Sequence, residues 1–186
     1  MAQKTGDWKK VAAILNGIGP RFQQARKVGL ERLGLQAEGD LKRGMRSGAP
    51  GGKAYPENHP FTVAEKGSSK PMIHHGDLWN SITHKVLDDM HAGIGVMSSA
   101  SGKDGVGLVN LALIHEFGVY IPVTAKMRGY LGHQGLHLKR STKFIRIPAR
   151  PTFGPTVEKY GKKWATLFVD TVMGKLFGVG GGGEER

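Results

Sequence analysis

The chain of 186 residues contains no cysteine. That one absence removes disulfide staples, thiolate nucleophiles and cysteine-ligated zinc together, and it fits synthesis in a reducing cytoplasm. Long apolar runs are missing as well. The longest, such as Leu108 to Ile114, fall far short of the ~20 residues that a membrane helix needs, and the first residues lack the basic-then-apolar pattern of a secretory signal. The expectation is a soluble protein. Negative charge is scarce: 15 Asp and Glu stand against 27 Lys and Arg, a formal net charge of +12. Such an excess favours an acidic partner, which can be a nucleic acid, a membrane surface or an acidic protein face, and charge alone does not choose among them.

Catalytic patterns are also wanting. His115-Glu116 opens the His-Glu-x-x-His zinc helix, but the fifth position is Val119. His74 and His75 are adjacent and would face apart on a helix or strand. His133 and His137 are one turn apart, yet Gly132 and Gly135 argue against a helix there. Gly102-Lys103 is followed by Asp104, with Met97 where a phosphate loop needs its leading glycine, and no serine occupies a nucleophile elbow. We therefore expect no catalysis, no metal and no cofactor. A metal-dependent hydrolase built on His74, His75 and His115 is a rival that stoichiometric zinc would revive. Nucleic-acid stacking motifs and zinc-finger spacings are absent too, so the spread lysines and arginines read first as a solvated basic face. The alternative is sequence-independent nucleic-acid binding, for which Lys139, Arg140 and Lys143 in one loop are the DNA-facing candidates.

What the chain does have is clear periodicity. Asp7 is an N-cap candidate before a helical Trp8 to Leu15, and Asn16-Gly17-Ile18-Gly19-Pro20 should break or kink it. From Arg21 to about Met45, Leu30, Leu33, Ala37, Leu41 and Met45 step by three or four, which predicts a long amphipathic helix weakened by Gly29, Gly34, Gly39 and Gly44. Residues 47–71 read as an extended loop or arm that could reach a neighbour, with Tyr55, His59 and Phe61 as anchors. The segment from His74 begins the sheet, with a strand over Ile82 to Leu87, a turn at Asp88-Asp89 and a return strand from His91 to Met97. Ser98 to Gly107 is a loop.

Leu108 to Gly118 is short enough for helix or strand and favours a short helix, Val119 to Thr124 an extended segment, Ala125 to Leu131 a helical turn, and Gly132 to Lys143 a loop. Phe144 to Ile147 then alternates like a strand and runs into Pro148, Pro151 and Pro155, a rigid corner that holds Arg150 at a fixed angle. Arg150 is aimed outward, over the sheet edge, or into a pocket. A last helix runs from about Thr156 to Phe177, with Val157, Tyr160, Trp164, Leu167, Phe168, Thr171 and Val172 on one stripe. The glycine-rich residues 178–186 read as a flexible tail. The remainder, 1–177, reads as a single domain.

Three of these segments, in this order, carry a resemblance. Gly76-Asp77-Leu78-Trp79-Asn80-Ser81-Ile82 is similar to a Gly-x-Leu-x-x-Ser-Ile segment, Ile114-His115-Glu116-Phe117-Gly118 to an apolar run ending in His-Glu-Phe-Gly, and Ile147-Pro148-Ala149-Arg150-Pro151 with Phe153 to an Ile-Pro-Ala-Arg-Pro corner before a phenylalanine. All three belong to the virion morphogenesis or tail-completion proteins of tailed bacteriophages. The stretch Thr124 to Gly129 is also similar, so the resemblance spans about residues 20–177. At Thr152 the chain departs from the family's more frequent phenylalanine, which moves the apolar anchor to Phe153.

The resemblance implies an α+β fold, with a small antiparallel sheet packed against a long N-terminal helix and a C-terminal helix. It implies a structural, non-enzymatic virion protein of the phage neck, made in the host cytoplasm. The expected assembly is a homo-oligomeric ring, hexameric, joining head to tail. Its partners would be copies of itself, the head connector or adaptor, and the tail tube or tail terminator, with non-specific contact to DNA in the lumen and no membrane. Trp79 and Phe153 would bury as anchors. Glu116 and Arg150, beside His115, would fix the corner or the subunit seam.

Overall fold

A computed structural model describes residues 8–102, 105 and 107–178. Asp7 and the glycine-rich end beyond Gly178, on which an N-cap and a tail are expected, lie outside them. The described chain is α+β. In order it runs α1 (Trp8–Ser47), a 3-10 turn at Pro50–Gly52, α2 (Pro60–Lys66), α3 (Asp77–Ser81), β1 (Ile82–Val86), β2 (Ala92–Val96), α4 (Leu108–Phe117), β3 (Val119–Pro122), α5 (Ala125–His133), β4 (Phe144–Ile147) and α6 (Phe153–Phe177). Two two-stranded sheets, β1–β2 and β3–β4, stand where one sheet is expected. No described helix is long and apolar enough to cross a membrane.

Several elements differ from the sequence-based expectation. The helix continues through Asn16 to Pro20 without a break. Pro20 removes only one donor, and Asn16, Ile18, Gly19 and Pro20 are exposed, so water can serve the carbonyl left free. Residues 60–66, read as part of a loop, form α2. Pro60 takes the first helical position, where its missing N–H costs nothing, and the Nδ1 of His59 accepts from the N–H of Phe61 at 3.2 Å. The segment before β1 is the short helix α3, not strand. On α6 Val157 is exposed, whereas Trp164, Thr171 and Val172 are buried.

The chain divides into two compact units. The first takes residues up to Ala37, His84–Ile94 and Lys162 onward. Here Ala25 and Ala37 of α1 are buried, and a Cβ added at Gly29 would lie 2.9 Å from Phe168 and 3.0 Å from Val172 on α6. Gly34 is as tightly met by His84 of β1, at 2.5 Å. These glycines weaken an isolated helix but are where neighbours approach too closely for any side chain. Asp88 closes the β1–β2 turn by accepting from the N–H groups of Met90 and His91, and Asp89 pairs with Arg26.

The second unit comprises Glu38–Thr83 and Gly95–Gly161. Leu41, Met45, Tyr55, Leu78, Ile82 and Leu108 form its apolar core, joined by the buried Thr152 and Thr156. α3 packs on α4. In the β3–β4 ribbon, Val119 faces Ile147, Tyr120 faces Arg146, Ile121 faces Ile145 and Pro122 faces Phe144. The alternation places Val119, Ile121, Ile145 and Ile147 inward and leaves Tyr120, Pro122, Phe144 and Arg146 exposed.

The turn after α1 passes directly over the start of α6. Gly51 has φ +61, and a Cβ there would fall 2.1 Å from the Pro155 carbonyl oxygen; Gly48, with φ +73, opens on empty space. Both carry the left-handed penalty of about 1–2 kcal/mol when replaced by alanine, but only Gly51→Ala must also move backbone. We expect Gly48→Ala to cost about 1 kcal/mol and Gly51→Ala more than about 3 kcal/mol in urea unfolding. Equal losses would show that the close approach at Pro155 does not matter.

Candidate functional site

The proline corner lies in the second unit, where all three segments of the resemblance meet. Glu116, near the end of α4, presents its carboxylate to the beginning of α6. It accepts from the backbone N–H groups of Thr152 at 2.7 Å, Phe153 at 3.2 Å and Gly154 at 3.1 Å. The first N–H groups of a helix have no partner within it, and the helix dipole makes that end electropositive, so a carboxylate is well suited to them. The hydroxyl of Thr156 donates to the Thr152 carbonyl at 2.6 Å. α6 is thus capped by a residue 36 positions upstream.

The strand-to-helix turn is tied a second time by main chain. The N–H of Arg150 donates to the His115 carbonyl at 2.5 Å. Gly118, with φ +72, allows α4 to end beside this turn: a Cβ there would sit 2.9 Å from the Ala149 nitrogen.

Arg150 does not point outward. Its side chain is buried at 6% exposure, where Nε donates to the Pro56 carbonyl at 3.0 Å, and Nη2 to the Glu57 carbonyl at 3.0 Å and Asn58 Oδ1 at 3.2 Å. The guanidinium fork thereby pins residues 56–58 to the corner. Next to it the Tyr55 hydroxyl and Thr152 Oγ1 are 2.5 Å apart, and burial pushes the phenol up to about 12. The expected reaching arm is thus fastened at 55–58 to its own corner.

The two expected aromatic anchors are half-buried, and Leu78 and Thr152 are the residues fully enclosed beside them. Trp79 instead donates its Nε1 hydrogen to the Lys42 carbonyl at 3.0 Å, with the Lys42 ammonium 5.7 Å from its ring centre. Thr152 shares its surroundings with Met45, Leu78, Ile82, Ala112 and Glu116.

On the other side of the corner an apolar cleft of about 770 Å³ opens between α2, α4, α5 and β4. Leu78, Leu111, Leu131, Leu136, Ile145 and Ile147 contribute to its walls, and His74 and His115 lie among its polar residues. The rings of His74 and His75 lie 3.8 Å apart at a tilt of 31°, so these neighbours stack and do not face apart. No cluster of three His, Asp or Glu side chains suited to a metal ion occurs among the described residues. Lys139, Arg140 and Lys143 are all exposed, in the loop between α5 and β4 and away from the corner's hydrogen bonds. The corner's partners, Tyr55 and residues 56–58, escape sequence reasoning because they lie more than 90 residues from Arg150.

His115 is neutral in this setting. Burial, with the nearby positive charges of Arg150 and Lys66, lowers its pKa to about 4, and its Nδ1 has no hydrogen-bond partner. Comparison with protein-family models, curated proteins and solved structures finds no match to the chain.

Two outcomes follow from this geometry. Removal of the Glu116 carboxylate frees three N–H groups at once, so Glu116→Ala should cost about 3–4 kcal/mol in urea unfolding and Glu116→Gln roughly half of that. A loss under 1 kcal/mol for the alanine variant would show that water replaces the cap. For His115 the folded pKa lies below the ordinary 6.5, so the unfolded chain takes up the proton first as pH falls. Its contribution is full above pH 6.5 and fades toward pH 4. The stability difference between the native protein and His115→Asn should therefore narrow by roughly 2–3 kcal/mol from pH 7 to pH 4.5. A difference independent of pH would mean that His115 titrates normally.

Proposed function

We propose that the chain is a structural subunit of a tailed-phage neck, a tail-completion protein that joins head to tail as a homo-oligomeric ring and catalyses no reaction. The observation that supports this reading most is that the three segments of the resemblance are one physical object. Glu116 of the second segment caps the residues directly after the third, and its main-chain neighbour His115 accepts from Arg150 of the third. Leu78 of the first adjoins Glu116 and Thr152. Separate motifs with no common purpose have no reason to converge in this way.

The chemistry of the corner points in the same direction. Its two charged groups are spent mostly on backbone atoms: the carboxylate on three N–H groups, and the guanidinium on two main-chain carbonyls and the side-chain oxygen of Asn58. Groups saturated by main chain hold a shape; they are poorly placed to exchange protons with a substrate. A subunit that must dock on identical copies, on a head connector and on a tail tube needs a surface of fixed form, and a buried polar lock supplies it.

The reading is tested at two levels. Size-exclusion chromatography with light scattering should show the purified chain as a ring, hexameric on the present proposal, either alone or when mixed with the head connector. A strict monomer that never associates with connector would overturn it. Particles assembled without the chain should accumulate as filled heads and finished tails that remain separate, and normal joining in its absence would be equally decisive against it.

A further inference from the structure

From Phe117 to Val157 the chain carries no Asp or Glu, while Lys126, Arg128, Lys139, Arg140, Lys143, Arg146 and Arg150 all fall within it. The fold spends two of these seven on carbonyls. Arg150 is in the corner. Arg128 of α5 donates to the carbonyls of Leu138 at 3.0 Å, Lys139 at 2.9 Å and Thr142 at 2.8 Å. Arg128 therefore shapes the loop before β4, on which Lys139, Arg140 and Lys143 stand exposed.

Several aromatic residues of the same stretch stand in the open. Tyr120, Tyr130 and Phe144 are 65%, 59% and 57% exposed. Tyr120 and Phe144 share the outer face of the β3–β4 ribbon with Pro122 and Arg146, and the Arg146 guanidinium lies 5.8 Å from the Tyr120 ring centre. The inward residues Val119, Ile121, Ile145 and Ile147 already satisfy the ribbon's need for burial. The outer rings are thus surplus to the packing of the chain itself.

We infer that the outer face of the β3–β4 ribbon, with the adjoining 139–143 loop, binds single-stranded nucleic acid without sequence preference. Bases stack on Tyr120 and Phe144, and Lys139, Arg140, Lys143 and Arg146 meet the phosphates. A flat aromatic offers a surface to any base, but only an unpaired base can reach it, which is why the exposed rings favour single strands over duplex. The cations supply affinity that salt weakens. A second copy presenting the same face is a poorer occupant, because that pairing would bring like-charged loops together. Glu57 is the carboxylate among the residues lining the neighbouring cleft, and it leaves the excess strongly positive. The inference holds whether or not copies close into a ring, since it uses one chain's residues.

The test is fluorescence anisotropy of the full chain with labelled oligothymidine and with a duplex of the same length. The single strand should bind more tightly, with log K falling against log salt at a slope of about −3 for four phosphate contacts. Tyr120→Ala and Phe144→Ala should each weaken single-strand binding about 5- to 100-fold and leave duplex binding little changed. Photocrosslinking of the unaltered protein to a 4-thiothymidine strand should mark peptides containing Tyr120 or Phe144, a readout that does not depend on any variant folding. Equal affinity for duplex with silent aromatic variants, crosslinks confined to other segments, or no binding at low salt would each overturn the assignment. So would aromatic variants that change the particle mass in light scattering but not the affinity, since the face would then lie between copies.

Discussion

The carboxylate of Glu116 at the start of α6 is the interaction on which the second unit depends. Two of the three N–H groups it satisfies, those of Thr152 and Phe153, are part-buried, and a buried donor left without a partner costs about 1–3 kcal/mol. Nearby residues cannot supply the cap. The preceding Pro151 has no polar side chain to accept from these N–H groups, and the Thr152 hydroxyl is engaged with that of Tyr55. A distant acid on another element supplies the acceptor, and it ties the end of α4 to the first residues of α6.

Once that cap is in place the other features of the corner become necessary. Holding α4 against the turn requires a backbone approach that only a glycine at 118 permits. The burial of Arg150 beneath the turn demands acceptors, and residues 56–58 provide them. A buried guanidinium is tolerable only when its fork is filled, so the segment carrying those carbonyls is held as firmly as the charge it satisfies. The same logic explains why His115 remains neutral: Lys66 and Arg150 already supply the local positive charge, and a third cation among apolar walls would be poorly solvated.

Much of this was legible in the residues, and the parts that were not share a cause. Period-two alternation locates β1 and β4, the turn at Asp88-Asp89 locates β2, an extended composition locates β3, and period-3.6 stripes locate α1 and α6, because each of those signals is local. The prolines announced a corner and the fixed bearing of Arg150, but the groups it would find lie too far away in sequence to be read. α2 escaped notice because its seven residues are too few to establish a stripe and its cap comes from His59, an unusual capping residue. In α1 the effect of Pro20 is confined to one donor at an exposed turn, so the helix runs through the expected break. The place of Gly29 and Gly34 in the helix comes from close approach to Phe168 and His84, which belongs to tertiary structure. Glu116 was noticed through an imperfect zinc motif, and it is the geometry of its carboxylate that assigns it to the backbone of α6.

The cations of the chain therefore divide by what they touch. Arg128 and Arg150 have carbonyl partners and act as internal ties, so substituting either would disturb structure before it disturbed any partner. Lys139, Arg140 and Lys143 are held in the open by a loop that one of those ties organises. A net charge of +12 is consequently a poor guide to function when taken as a single number. What matters is that the buried Arg150 and the half-buried Arg128 spend part of the charge on architecture, and that Lys139, Arg140, Lys143 and Arg146 stand exposed on the loop and ribbon that also carry the open rings of Tyr120 and Phe144.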